Sequence, residues 1–163
     1  MKKEIGTYKD CSNCKNKNNN CCTDFVNIDN PLITEKELEI IKLRSNNKEF
    51  YKKITPHLYN IKTCENGVCP FYKKGCSIYL YRPVDCRLYP FDIIRKKDKY
   101  YLILYKYPCN NVEVTKKFID DNINDVELLA NNLAEFIEEY TCHICNQKLQ
   151  KKEYIVIKEL ITK

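Results

Sequence analysis

The stretch from residue 69 to residue 91, CPFYKKGCSIYLYRPVDCRLYPF, constrains the fold of this chain more than any other part of it. Besides a glycine and three of the chain's six prolines, it contains three cysteines: Cys69, Cys76 and Cys86. The apolar run at residues 78–81 predicts a short strand, which ends at Arg82 because Pro83 has no N–H to donate. Thiols at the ends of strands and turns, with cations beside them, are typical of a thiolate–metal site.

The chain contains eleven cysteines in 163 residues, and their chemical state depends on the compartment. The N-terminus, MKKEIGTYKDCSNC, has no apolar segment of the kind found in secretory signals, which predicts a cytoplasmic protein with reduced thiols. Metal or redox chemistry is therefore expected rather than disulfides. The longest apolar run, YYLILY at residues 100–105, is far shorter than the about 20 residues that span a bilayer, so no membrane contact is expected.

The formal net charge of +6 suggests an anionic partner, but this indication weakens once the cysteines are considered. Eight thiolate ligands would change the charge of the protein from +6 to −2, because thiols that bind metal are deprotonated. The lysines also occur as scattered pairs rather than as one block, which is typical of solvated surfaces. Nucleic acid is therefore not expected as a partner, and an unidentified redox or protein partner is.

A first cysteine group, residues 11–22, reads CSNCKNKNNNCC and places four thiols around a polar loop. Zn²⁺ takes four ligands in a tetrahedron, and iron–sulfur clusters are likewise held by about four cysteines. With the spaced cysteines further along the chain, this group makes eight plausible metal ligands: Cys11, Cys14, Cys21, Cys22, Cys69, Cys76, Cys86 and Cys109. Eight ligands suit two four-ligand sites, or one site with open positions, and the spacing does not separate zinc from iron.

The other cysteines have several interpretations. Cys64 alone suits a small apolar side chain in the core. The segment CHIC at residues 142–145 suits a third metal half-site with His57, a redox dithiol, or two half-buried thiols where a helix ends.

Two arginines, Arg82 and Arg87, lie close to Cys86 and are candidate cofactor-binding residues. Each could donate hydrogen bonds to thiolates, hold an acidic partner, or form an ordinary surface salt bridge. No catalytic residue is predicted, because the three glycines form no phosphate-binding loop and the two histidines lie in no recognisable catalytic motif.

The first helix is predicted to begin after Thr34, because Glu37 three residues later completes a capping box. Ile33 and Leu38 occupy the two positions of a hydrophobic staple at this helix start. Leu38 and Ile41 are expected to form the buried face, with Ile40 as an open third member.

Further elements are predicted from periodicity and turn residues. A helical turn is expected at 48–53 and an edge strand at 57–63. Two strands, 91–94 and 100–107, are joined by a charged turn.

A second helix is predicted over 125–140, with one apolar face: Val126, Leu129, Leu133, Phe136, Ile137 and Tyr140. The tail at 149–161 suits a strand by its β-branched residues and a helix by its leucine spacing. These elements predict an α+β fold with a short antiparallel sheet and two or three helices around a cysteine-held metal centre. The whole chain, 1–163, is expected to form one domain, with its core at about 11–109 and a C-terminal helical extension at 120–163.

The cysteine pattern and the segment IYLYRPVDCRLYPF at residues 78–91 are similar to those of the YkgJ-like cysteine-cluster proteins. The similarity runs from Cys11 to Cys109 and includes the helix start TEKEL between the two cysteine groups. These proteins are described as zinc- or iron-chelating domains, and often as Fe–S-cluster-containing proteins or Fe–S oxidoreductases. The resemblance implies that the eight cysteines named above are the metal ligands and that the cofactor is an iron–sulfur cluster or zinc.

Three functions are therefore open. The first is an iron–sulfur protein that transfers electrons or acts as an oxidoreductase. The second is a structural or chelating zinc domain. The third is an accessory module that binds an acidic partner through its basic residues.

Overall fold

A computed structural model describes residues 30–45, 49–64, 67–73, 75–106, 114–147 and 153–160, with the backbone alone for 143–147. The described residues fall into two compact units, one within residues 7–86 and one within residues 87–163.

The first unit contains a three-stranded antiparallel sheet in the order β1-β3-β2. Its strands are β1 (Leu32–Thr34), β2 (Tyr51–Lys53) and β3 (Leu58–Ile61). The strand predicted near 57–63 is thus confirmed, but it lies in the centre of the sheet and not at an edge. The helical turn predicted at 48–53 is wrong where the structure describes it, because residues 51–53 pair with β3 and leave no backbone groups for a helix.

Helix α1 (Glu35–Arg44) begins where the sequence predicts. The Thr34 hydroxyl accepts a hydrogen bond from the Glu37 N–H at 3.4 Å, and the Glu37 carboxylate accepts one from the Thr34 N–H at 3.0 Å. The helix buries Leu38 and Ile41, as expected, whereas Ile40, the open third member of that face, is 47% exposed and does not belong to it. An α-helix has 3.6 residues per turn, so residues 38 and 41 lie on one side of the helix and residue 40 lies on another.

The core of the first unit joins α1 to the sheet and to the cysteine-rich stretch. Ile33 and Leu38, the predicted staple pair, are both buried in this core. Phe50 and Phe71 pack edge to face with ring centroids 4.9 Å apart. Cys69 belongs to the same buried cluster. The first part of the cysteine-rich stretch, from Cys69 to Ile78, therefore contributes to the hydrophobic core of this unit.

The second unit contains an antiparallel sheet in the order β4-β5-β6. Its strands are β4 (Phe91–Lys96), β5 (Lys99–Tyr105) and β6 (Tyr154–Leu160). The predicted hairpin of residues 91–94 and 100–107 is confirmed over its described part, and Lys97 takes a positive φ of 56° in the turn. The tail, which the sequence left open between strand and helix, is a strand with a bulge opposite the step from Leu102 to Ile103. The C-terminal extension at 120–163 is therefore not helical throughout.

The apolar periodicity near residues 125–140 belongs to two α-helices and not to one. Helix α3 (Lys116–Asn131) starts earlier than predicted, and α4 (Ile137–Gln147) follows a 3₁₀ turn at Ala134–Phe136. The chain tightens at the break, because the Leu133 and Phe136 N–H groups donate to carbonyls only three residues back. The predicted apolar face is nevertheless correct: Val126, Leu129, Leu133, Ile137 and Tyr140 are buried, and Phe136 is half-buried.

The buried carboxylate of Asp92 connects β4 to two other elements of this unit. It is 3% exposed and accepts hydrogen bonds from the Tyr105 hydroxyl at 2.6 Å and the Tyr140 hydroxyl at 3.0 Å. The Ile93 N–H donates to it as well, at 2.8 Å. Three donors around one carboxylate satisfy a group that is costly to bury alone.

The predicted α+β class is confirmed. The described residues form four α-helices, where two or three were expected, and two antiparallel sheets of three strands each, where one short sheet was expected. None of the helices in the described ranges combines the length and the apolar composition needed to cross a membrane.

Candidate metal centre

The first described cysteines of the centre, Cys69 and Cys76, lie on either side of a tight turn. The Tyr72 N–H donates to the Cys69 carbonyl at 2.9 Å, and Tyr72 forms an antiparallel bridge with Cys76. Gly75 has a φ of 151°, which only glycine adopts readily, so it allows the chain to reverse here. The turn thus brings residue 76 back beside residue 72. Cys69 is 7% exposed, and Cys76 is half-buried and packs on the same cluster.

The segment after this turn is a 3₁₀ turn, Tyr79–Tyr81, and not the predicted strand. The Tyr79 N–H donates to the Cys76 carbonyl and the Tyr81 N–H to the Ile78 carbonyl, so the hydrogen bonds stay local. A strand needs a partner strand for these groups, and residues 78–81 are confined between the turn and Pro83. Leu80 is left 68% exposed, which an inward-facing strand residue would not be.

Cys86 lies on the short helix α2 (Val84–Leu88). Pro83 precedes the helix, where its fixed φ and missing N–H are tolerated. Leu88 at the other end is fully buried, whereas Cys86 is half-buried. The helix therefore holds the predicted ligand Cys86 in a half-buried position, two residues before the buried Leu88.

Two long-range hydrogen bonds attach α2 to the start of α1. The Val84 N–H donates to the Glu37 carboxylate at 2.6 Å, and the Leu32 N–H donates to the Asp85 carboxylate at 2.8 Å. Sequence reasoning identified Glu37 only as a capping residue. Its second partner is 47 residues away, and no local pattern could have indicated it.

Arg82 is buried between the 3₁₀ turn and α2. It is 8% exposed, its guanidinium lies over the Tyr79 ring at 3.9 Å, and its Nε donates to the Tyr79 carbonyl at 3.1 Å. Among the described residues, its Nη2 atom has no hydrogen-bond acceptor. Burying a cation with an unsatisfied N–H donor costs free energy unless an anionic group accepts its hydrogen bond and balances its charge. Metal-bound thiolates are such a group, so this residue fits a cysteine-held metal.

Arg87, the second predicted cofactor-binding residue, is half-buried in the last turn of α2. Its proposed role toward thiolates stays a prediction. The other predicted ligands, Cys11, Cys14, Cys21, Cys22 and Cys109, lie outside the described residues. Within the described part of the chain, no three Cys, His, Asp or Glu side chains lie close enough to hold a metal ion. The structure thus brings Cys69 and Cys76 into one cluster and places Cys86 on α2, and the complete ligand set stays a prediction.

The cysteines without a predicted ligand role differ from expectation in their surroundings. Cys64 is exposed and not a core side chain, although the Cys64 N–H donates to the Val68 carbonyl just before Cys69. Cys142 is also exposed and lies inside α4, not after the end of a helix. His57 is exposed. The hypotheses of a third half-site and of a redox dithiol stay untested, because only the backbone of residue 145 is described.

Comparison with known families identifies this cysteine pattern. The family model CxxCxxCC, described as "Putative zinc- or iron-chelating domain", matches residues 10–110, which is more than half of the chain. No curated protein and no solved structure matches the chain. The match covers every predicted ligand from Cys11 to Cys109 and confirms the resemblance that the sequence indicated. A zinc or iron cofactor, as predicted, agrees with the description of this family. The chain belongs to the CxxCxxCC family of zinc- or iron-chelating domains.

Proposed function

We propose that this protein holds an iron–sulfur cluster through cysteine thiolates and transfers electrons with it. The ligands in this proposal are the eight predicted cysteines: Cys11, Cys14, Cys21, Cys22, Cys69, Cys76, Cys86 and Cys109. The cluster would supply one-electron redox chemistry, and the chain would set its potential through hydrogen bonds and burial. The electrons would pass to or from an unidentified redox partner in the cytoplasm, where thiols are kept reduced.

The observation that carries this proposal is the buried guanidinium of Arg82. A four-thiolate site has an excess of negative charge, and a permanent cation with a free N–H donor compensates for it. Hydrogen bonds to cluster sulfurs and nearby positive charge both affect the reduction potential. Arg82 lies between two predicted ligands in sequence, ten residues apart at positions 76 and 86.

A structural or chelating zinc site is the second candidate. It is favoured by the position of Cys69, which is 7% exposed and packs with Phe71 and Ile78 in the core of the first unit. A metal bound there would cross-link the core, because metal binding by thiolates is coupled to folding. Such a domain would act as an accessory module for another protein.

Anaerobic purification distinguishes the two candidates. Brown protein with visible charge-transfer absorption, iron and acid-labile sulfide is the expected result. Colourless protein that contains stoichiometric zinc would contradict the iron–sulfur cluster and support the zinc site. Protein that takes up neither metal, even after anaerobic reconstitution, would contradict both.

Replacing Arg82 by lysine should make the bound metal more labile. Lysine keeps the charge but loses the flat guanidinium over Tyr79 and the Nη2 donor. We expect metal loss to a chelator to be about 10-fold faster or more, the size of effect seen when a residue that supports a ligand is changed.

Arg44→Lys is the matched control for this variant. Arg44 also lies over a tyrosine ring, that of Tyr81 at 5.2 Å, but it is exposed. Its replacement should leave the rate of metal loss unchanged. Equal rates in the two variants would show that Arg82 has no part in the metal centre.

Nucleic acid is not part of the proposed function. Several surface lysines are neutralised by carboxylates nearby: Lys99 by Glu159 at 2.9 Å and Lys117 by Asp121 at 2.7 Å. Hydrogen bonds to these carboxylates raise the pKa of both lysines. Paired lysines offer less attraction to phosphates than a continuous basic surface does.

A further inference from the structure

We propose that Glu37 and Asp85 are positioning residues that fix the Cys86 thiolate for metal binding. The inference rests on the proposed function, in which Cys86 is a metal ligand. It concerns the two crossed hydrogen bonds between the start of α1 and α2, from Val84 to Glu37 and from Leu32 to Asp85. We call these four residues the crossed clamp.

Helix α2 cannot set its own position. It has five residues, and a helix of this length has no stability of its own. Its N-terminal N–H groups also need acceptors from outside the helix. The Glu37 carboxylate meets one of these needs at 2.6 Å, which is short for an N–H···O bond to a charged acceptor.

The crossed clamp acts on the two residues directly before Cys86. Val84 donates from the helix backbone, and the side chain of Asp85 accepts from the Leu32 N–H. Leu32 lies in β1, which is an edge strand in the described part of its sheet, and its N–H donates to Asp85. One end of the clamp is therefore fixed to the sheet through Leu32 and the other to helix α1 through Glu37, and the thiol one residue further on is fixed with them. Metal sites require their ligands to be held to about 0.5 Å.

Glu37 is suited to this role because both of its carboxylate oxygens are occupied. Oε2 accepts from the Thr34 N–H and from the Thr34 hydroxyl, each at 3.0 Å, and Oε1 accepts from Val84. A glutamine has one acceptor oxygen and cannot bind the two N–H groups in the same way. Helix capping and the placement of Cys86 thus depend on one side chain.

The test compares Glu37→Gln with Glu35→Gln. Glu35 is exposed in the first turn of the same helix, so the control makes the same change in charge and composition. Metal loss is timed with a chelator, for Zn²⁺ by a chromogenic chelator and for an iron–sulfur cluster by visible absorption. Ligand geometry is read from the visible spectrum of Co²⁺-loaded protein, or from visible circular dichroism of the cluster.

We expect Glu37→Gln to lose metal about 10–100-fold faster than the parent and to shift the visible spectrum, since changes to residues that orient ligands have effects of this size. Glu35→Gln should match the parent in both measurements. A second pair of variants, Asp85→Asn and Asp85→Ala, distinguishes the effect of the hydrogen bond to Leu32 from the effect of the negative charge next to Cys86. Both variants are neutral, but only asparagine retains an oxygen for the Leu32 N–H, so alanine should lose metal faster.

The inference is overturned if Glu37→Gln and Asp85→Ala keep the parent's rate and spectrum. Faster metal loss with an unchanged spectrum would also overturn it, because the crossed clamp would then support only the stability of the fold. If Glu37→Gln does not fold, the Asp85 pair decides. A parent protein that binds no metal would instead refute the proposed function itself.

Discussion

Replacing Cys86 by serine is expected to remove most of the metal from the protein. Serine keeps the size of the side chain but lacks the thiolate that soft and borderline metals prefer. The loss should exceed the about 10–100-fold weakening seen for residues that only support a ligand. Metal content after anaerobic purification and gel filtration measures it.

Cys64→Ser and Cys142→Ser are the controls for this experiment. Both thiols are exposed, and neither belongs to the predicted ligand set. Each variant should keep the metal content of the parent. Equal metal loss in all three variants would show that the predicted ligand set is wrong.

Replacing Asp92 by alanine should cause a large loss of stability in the second unit. The change removes the carboxylate that accepts from the hydroxyls of Tyr105 and Tyr140, and these residues are only 4% and 0% exposed. Each buried group left unsatisfied costs about 1–3 kcal/mol, so we expect a loss of about 2–6 kcal/mol in the free energy of unfolding. Since domains are stable by about 5–15 kcal/mol, this loss is a large fraction of the total stability.

Urea denaturation, followed by tyrosine fluorescence and circular dichroism, measures this loss. Asp98→Ala serves as the control, because the Asp98 side chain is 97% exposed and its pair with Arg95 at 3.4 Å is solvated. That change should stay within about 0.5 kcal/mol of the parent. If Asp92→Ala unfolds at the same urea concentration as Asp98→Ala, the hydrogen bonds of Asp92 do not stabilise the fold.

Local signals in the sequence predicted some elements correctly. The start of α1 was readable because both halves of the capping box lie within four residues, Thr34 to Glu37. The hairpin of β4 and β5 was readable because a charged turn separates two apolar runs. The cysteine pattern was readable as a family match because the spacing of the residues around it is specific.

The features that were missed depend on groups far apart in the sequence or on small changes of geometry. The 78–81 segment has strand-forming residues, but none of the described strands pairs with it. The break between α3 and α4 contains neither glycine nor proline, so the apolar spacing passes through it without a signal. The sequence of the tail did not distinguish a strand from a helix, because the bulge interrupts the alternation of inward and outward side chains in β6.

The candidate site also contains features that the sequence indicated and features that it did not. Residue types and spacing pointed to Cys69, Cys76 and Cys86 and to the arginines beside them. They did not show that Arg82 is buried over Tyr79, since that depends on the local turn. They also could not show that Glu37 binds Val84, because a hydrogen bond across 47 residues leaves no periodic pattern.

The bulge in β6 also affects how this protein behaves at high concentration. In the described part of the sheet, β6 is an edge strand, and an open strand edge can pair with another copy of the chain and start aggregation. The bulge distorts that edge, and charged side chains lie along it: Lys158 pairs with Glu127 at 2.8 Å and Glu159 with Lys99 at 2.9 Å. Both features discourage edge-to-edge association between copies of the chain.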